Sequence, residues 1–214
     1  MAIFKNNRYS GKMGGLTYYV DQFGNQCTRA LPSRSAAPSD KQLCSRLKFK
    51  MAMNFLQPIR ALVIKSWHGD SHKSGLPFDA SLGMMIKQAV EGEYPDLYVN
   101  YSRVQISRGM MDRPLNLKFV MENDEAVLTW ENNSFICKAS SPDDILQFVL
   151  VNEAKESKMV FEQKALRGDL SLRLALPATF GNDELHGFFF FVNHNFKEAS
   201  ATTYLRYVPS ETLI

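Results

Sequence analysis

Two hydrophobic rhythms divide this chain. Between Pro38 and Leu62 the apolar residues Leu43, Leu47, Met51 and Phe55 recur every four positions, with Met53, Ile59 and Leu62 widening the stripe. That spacing predicts one long amphipathic helix. Ser39 followed by Gln42 is a helix start, and Asp40 suits the positive end of the helix. Pro58 removes one amide, so a kink or restart is expected near Gln57. A second helix is predicted from Pro77 through Val90, with Leu82, Met85, Ile86, Ala89 and Val90 on its buried side. Gly92 is expected to end it, and Pro95 to prevent its resumption.

Elsewhere the rhythm is that of strands. Leu16–Val20 and Gln26–Leu31 read as a β-hairpin turning at Phe23-Gly24-Asn25, with Gly11, Gly14 and Gly15 loosening its entry. An isolated hairpin is marginal in water, so this one must lie on something. Pro32–Pro38 reads as an extended linker. Tyr98–Ser107 reads as a strand that could pair with the hairpin, closed by Arg108-Gly109. From Arg113 onward seven strands follow: 115–121, 126–130, 145–152, 159–165, 170–176, 184–193 and 200–207. Their spacing, with Trp130 in the second and a Ser/Thr-Tyr pattern in the last, predicts a β-sandwich of immunoglobulin or fibronectin-III type. The expected fold class is therefore α+β: a hairpin-and-helix region over 1–110 joined to a sandwich over 112–214.

Two of these strands are apolar on both faces. In Ile145–Val151 and in Phe188–Val192 both sets of alternate residues are hydrophobic. The third and sixth strands are neighbours in such a sandwich, so their outer faces would merge into one apolar patch, costly to leave wet. Either the helices of the N-terminal half cover it, or another chain does. Phe188, Phe190 and Val192, with Tyr18 and Tyr19 of the hairpin, are thus candidate interface residues.

Charge sharpens that picture. The net charge of +3 is split: residues 1–75 carry 12 Lys/Arg and 3 Asp/Glu, and residues 76–214 carry 13 and 19. A basic head can bind an anion, dock on the acidic body of another copy, or be neutralised within its own chain. Lys12, Arg29, Arg34, Arg46, Lys48 and Lys50 are the candidate anion-binding residues, joined by Lys41, with Tyr18 and Tyr19 able to stack. Cys27, Cys44 and Cys137 are few, odd in number and widely spaced, as expected of reduced thiols rather than of a disulfide framework. His68-x-Asp70-x-His72 has ligand chemistry but sits in a flexible polar loop with no fourth ligand, and reads as a solvated loop. Gly11-Lys12-x-Gly14 precedes a strand and lacks the Gly-Lys-Ser/Thr ending, so it is no phosphate loop. No catalytic, cofactor or metal motif stands out. His186 and His194 are expected to pack or to lie on the surface.

The order Gly11-Lys12-x-Gly14, a Tyr-rich strand, a strand containing Arg29, then Gln42-x-x-x-Arg46-x-Lys48-Phe49 resembles a family of proteins of unknown function in Bacteroidota. Its members are of about this length and often occur as several paralogues. Glu91-Gly92-Glu93-Tyr94-Pro95, Leu128-Thr129-Trp130, Leu176-Pro177 and the ending Ser200-x-Thr202-x-Tyr204-Leu205 carry the same resemblance. It implies a shared fold plan and assigns no activity. The expectation is a non-enzymatic structural or assembly protein, a self-assembling or virion-type subunit, partnering itself or another protein. The alternative is an anion- or nucleic-acid-binding module. No membrane partner is expected: no signal-peptide core opens the sequence and no run is long enough to span, so the place expected is the cytoplasm or an assembled particle.

Overall fold

The computed structural model describes residues 3–5, 8–31, 37–68, 76–122, 125–135, 139–162, 164–177, 180 and 183–209. Arg34, Asp70, His72 and Cys137 lie outside the described residues, as does most of the linker. The chain divides into two compact units, Met1–Ser39 and Asp40–Ile214.

The first unit is a four-stranded antiparallel sheet rather than a hairpin. Its strands β1 (Ile3–Lys5), β2 (Arg8–Met13), β3 (Leu16–Val20) and β4 (Gln26–Ala30) are paired in sequence order. The glycines expected to loosen the entry build it instead. Gly14 and Gly15 form the tight turn between β2 and β3, with Gly14 at φ +60°, where a Cβ would be strained. Asp21 organises the next turn: its Oδ1 accepts from the amides of Phe23 and Asn25 at 2.9 and 2.8 Å. Those donors hold the Asp21 carboxyl below its usual range.

The second unit stacks three layers. Helix α1 (Asp40–Leu56) passes through a 3-10 turn at Gln57–Ile59 into α2 (Arg60–Ser66), the restart expected at Pro58. Helix α3 (Pro77–Gln88) follows, then a hairpin of β5 (Val90–Glu93) and β6 (Asp96–Val99). The seven expected strands are present as β7 (Leu115–Glu122), β8 (Glu125–Glu131), β9 (Ile145–Asn152), β10 (Ser157–Phe161), β11 (Ser171–Ala175), β12 (Leu185–Val192) and β13 (Thr203–Tyr207). They form one sheet of order β10-β9-β12-β13 and another of order β11-β8-β7, every pairing antiparallel.

Two cores meet at β9 and β12. Leu146, Phe148, Leu150, Phe189 and Phe191 pack with Leu128 and Trp130 of the three-stranded sheet. The alternate residues Val149, Val151, Phe188, Phe190 and Val192 pack with Phe55, Leu56, Ile59, Leu62, Val63, Leu82 and Met85 of the helices. The outer face of these strands is therefore covered within the chain. This corrects two expectations. Phe188, Phe190 and Val192 are interior residues, not interface residues. The compact boundary falls at Ser39/Asp40 rather than near residue 111, because β9 and β12 share one of their cores with the helices.

Two local readings also change. Gly92 lies in β5 at φ +95°, and a Cβ there would collide with the Asp96 carbonyl oxygen, so it serves the hairpin and not the helix end. Tyr98–Ser107 is not one strand. It continues from β6 into a 3-10 turn at Tyr101–Arg103, and β6 pairs with β5. The following segment is tied down by Thr202, whose Oγ1 accepts from the amides of Ile106 and Ser107, each at 3.0 Å.

Candidate interaction surfaces

The sheet of the first unit has two chemically distinct faces. Directly opposed residues share a face and successive residues alternate. Met13 opposes Leu16, and Gly11 opposes Tyr18. The Tyr9 ring lies 5.9 Å from Tyr18 and 4.7 Å from Phe4, which places both on the same side. Phe4, Tyr9, Met13, Leu16, Tyr18 and Val20 thus form an uncharged, largely aromatic face, edged by Gln26, Thr28 and Ala30 of β4. The other face carries Lys12, Thr17 and Arg29 in one row across three strands, with Arg8, Tyr19 and Cys27. Arg29 lies over the Tyr19 ring at 5.8 Å. Beyond Gly11 the strands β2 and β3 part, and the Gln26 amide fills the gap. It accepts from the Tyr9 N–H at 2.9 Å and donates to the Tyr9 and Tyr19 carbonyls. Among the described side chains of this unit none is buried, and Phe23, Ile3 and Phe4 are 79%, 68% and 56% exposed.

A polar aromatic cluster on the second unit is the other candidate. His186 of β12, 5% exposed, stacks on Tyr101 with ring centres 4.0 Å apart. Its Nδ1 lies 2.9 Å from the Tyr204 hydroxyl. Its Nε2 faces Glu153 and Glu184, each at 3.6 Å, too long for a hydrogen bond. Arg206 holds Glu184 by two hydrogen bonds at 2.5 and 2.8 Å, and these keep the Glu184 carboxyl below its usual range. An open groove of about 440 Å³ runs past Tyr98, Tyr101, Glu184, His186 and Tyr204. Beyond Tyr101 a second one of about 360 Å³ is lined by Phe55, Glu153 and Lys158. Lys158 donates to the Asn54 carbonyl and lies 4.7 Å over the Phe55 ring, and burial lowers its pKa.

The protonation chemistry of this cluster is that of a neutral brace. Burial lowers the pKa of His186 against the opposing pull of Glu184 and Glu153. Burial raises Tyr204, and burial followed by Glu153 pushes Tyr101 up to about 12. A tyrosine nucleophile needs its phenol pKa brought down, and both move the other way. The arrangement joins the 3-10 turn to β12 and β13. The sequence left His186 as either a packing or a surface residue, and the phenols around it come from residues 85 and 18 positions away.

The remaining candidates scatter. Arg46, Lys48 and Lys50 lie on α1, where 100° per residue puts Arg46 and Lys50 on one side and Lys48 on the other. They make no single anion cradle. Lys12 and Arg29 do share a surface, and Tyr18 and Tyr19 point to opposite faces of their sheet. His68 is described, its Nε2 2.8 Å from the Lys65 carbonyl. Among the described residues no group of three His, Cys, Asp or Glu is placed to hold a metal ion. No described helix is long and apolar enough to cross a membrane.

Fold and surfaces together define an α+β protein: antiparallel sheets backed by helices, carrying a separate N-terminal sheet with an open aromatic face. The chain belongs to the Family of unknown function (DUF6266), whose model matches residues 11–206. No curated protein matches it.

Proposed function

We propose that this chain is a non-enzymatic assembly subunit, with a fibronectin-III-like body under a helical cover and an N-terminal sheet that docks on another protein chain. The order β11-β8-β7 against β10-β9-β12-β13 supports the sandwich reading. One observation carries the function: a four-stranded sheet in which no described side chain is buried, yet which exposes Phe4, Tyr9, Met13, Leu16 and Val20 together on one uncharged face. A sheet without a core is not stable by itself, and an open apolar patch marks a place that a partner covers. Such a role suits the cytoplasm or an assembled particle.

The test is the solution mass of the full chain by sedimentation, from micromolar to millimolar concentration. Association that weakens when aromatic residues of the sheet are replaced by charged ones is the expected result. A strictly monomeric protein throughout would remove the proposal. The second reading, a polyanion-binding module, is favoured by the row Lys12, Thr17, Arg29 with Arg8 nearby.

A further inference from the structure

We infer that the partner of the N-terminal sheet is the same sheet of a second copy, the two packing aromatic face to aromatic face into a small β-sandwich. This deepens the assembly reading and rests on it. The inference comes from how charge is distributed over the sheet. Phe4, Tyr9, Met13, Leu16, Tyr18 and Val20 share one face with uncharged neighbours, while Arg8, Lys12 and Arg29 are on the other.

A basic head docking on the acidic body of the next copy would place its cations at the contact, and here the apolar face carries none. An uncharged apolar face can instead meet its own image with no like charges opposed, the condition for an isologous two-fold contact. Sheets pack face to face at ~10 Å through interdigitating side chains of this kind. Such pairing supplies the core that each sheet lacks and leaves both basic faces outward.

The area is adequate. Phe4, Tyr9, Met13, Leu16 and Val20 are 56%, 43%, 50%, 39% and 38% exposed. Aromatic side chains bury ~150–250 Å² when fully covered. About half of that from Phe4 and Tyr9, with smaller shares from Met13, Leu16, Val20, Tyr18 and the β4 edge, gives on the order of 500 Å² per copy, the lower edge of a specific interface.

Face-specific variants of the full chain test this. Tyr18→Asp puts a charge at the centre of the aromatic face; Lys12→Glu with Arg29→Glu reverses the basic row. Near-ultraviolet circular dichroism checks that the body stays folded. A Thr28→Cys variant carries a thiol on the aromatic face, read by its alkylation rate, and the native Cys27 reads the opposite face. The expected result is a wild-type dimer, with the Thr28→Cys thiol protected and Cys27 reactive. Tyr18→Asp should weaken dimerisation at least about tenfold, and the charge reversal should change it less than about twofold. A dimer lost on charge reversal but insensitive to Tyr18→Asp would overturn the face assignment and leave the assembly reading standing. A monomer in which the Thr28→Cys thiol is protected would show that the chain covers its own sheet, overturning the pairing. A monomer in which that thiol reacts freely would overturn both readings.

Discussion

The Arg167 guanidinium and the Asp144 carboxylate pair at 3.0 Å with 0% and 2% of their side chains exposed. Around them the guanidinium donates to Asn133 Oδ1 at 2.6 Å and to the Asp112 carbonyl at 3.0 Å, and it lies 4.0 Å over the Phe191 ring. Trp130 Nε1 donates to the Arg167 carbonyl at 2.8 Å. Arg167 thus ties its own connection between β10 and β11 to β8, to β12, to the β8–β9 connection that holds Asn133 and Asp144, and to the segment of Asp112. With no disulfide among the described residues, this network fixes how the two sheets meet at that end.

Removing one member of such a pair leaves an uncompensated buried charge. Arg167→Met should therefore destabilise the protein by about 3–5 kcal/mol. A double variant, Arg167→Met with Asp144→Leu, should recover part of that loss, since no charge is then left buried. Urea unfolding of wild type, both single variants and the double variant measures this coupling. A single variant within ~0.5 kcal/mol of wild type would contradict the role assigned to the network.

Phe190→Asp should unfold the protein rather than release a monomer. Phe190 is fully buried between β12 and the helices. The change forfeits about 1.5–3 kcal/mol of apolar burial and also places a carboxylate in that core. Loss of the near-ultraviolet signal, or insoluble expression, is the expected outcome. A soluble, folded Phe190→Asp monomer would restore this face to the list of surfaces.

That contrast shows what sequence could and could not reveal. The double hydrophobic alternation of β9 and β12 was legible, because residues on both sides of a strand must be apolar when both faces are covered. Which element covers the second face was not, since α1 and α3 are equally amphipathic whether they meet their own sheet or another. Strand β2 was missed because Gly11, Gly14 and Gly15 weaken its signal, though Gly14 and Gly15 form the turn into β3, and β1 is only three residues long. The Arg167 network was invisible for a different reason. Asp144 and Asn133 lie 23 and 34 residues from Arg167, and no local spacing joins them. In the candidate surfaces, period-two alternation places Tyr18 and Tyr19 on opposite faces, but the division into aromatic and basic faces emerges only once the register of four strands is known.

His186 gives the fold a pH dependence whose sign follows from its environment. Its pKa is lowered from 6.5 in the folded state by burial, so the unfolded chain binds the proton more readily. The stability it contributes is present above pH 6.5 and is lost as pH falls from there through the depressed folded value. The groups facing the ring are Glu153 and Glu184, which oppose the shift, Arg206, which adds to it, and the phenols of Tyr101 and Tyr204. Glu184 is held below 4.5 by Arg206, so its own loss of stability begins only in more acid solution. Thermal midpoints across pH 7.5 to 5 isolate the histidine. His186→Gln should flatten the curve in that window, and an equal slope in the variant would rule out the assignment.

If the basic face engages a polyanion, the salt dependence should count its cations. Each phosphate neutralised releases condensed counterions, giving a log–log slope of about −0.9 per contact on duplex DNA. Lys12 and Arg29 flank Thr17 in one row, and Arg8 shares their face, so up to three contacts can form on one surface. Lys12→Glu with Arg29→Glu should make the slope shallower by roughly two contacts, about 1.8. On α1, Arg46 and Lys50 are four residues apart on one side and Lys48 is not. Reversing Lys48 alone should then leave the slope unchanged even if α1 contributes through the other two. Fluorescence anisotropy with labelled duplex from about 50 to 200 mM salt reads all three proteins on one scale. Binding that is absent at the low end, or a slope indifferent to Lys12 and Arg29, would leave the basic row no part in binding duplex.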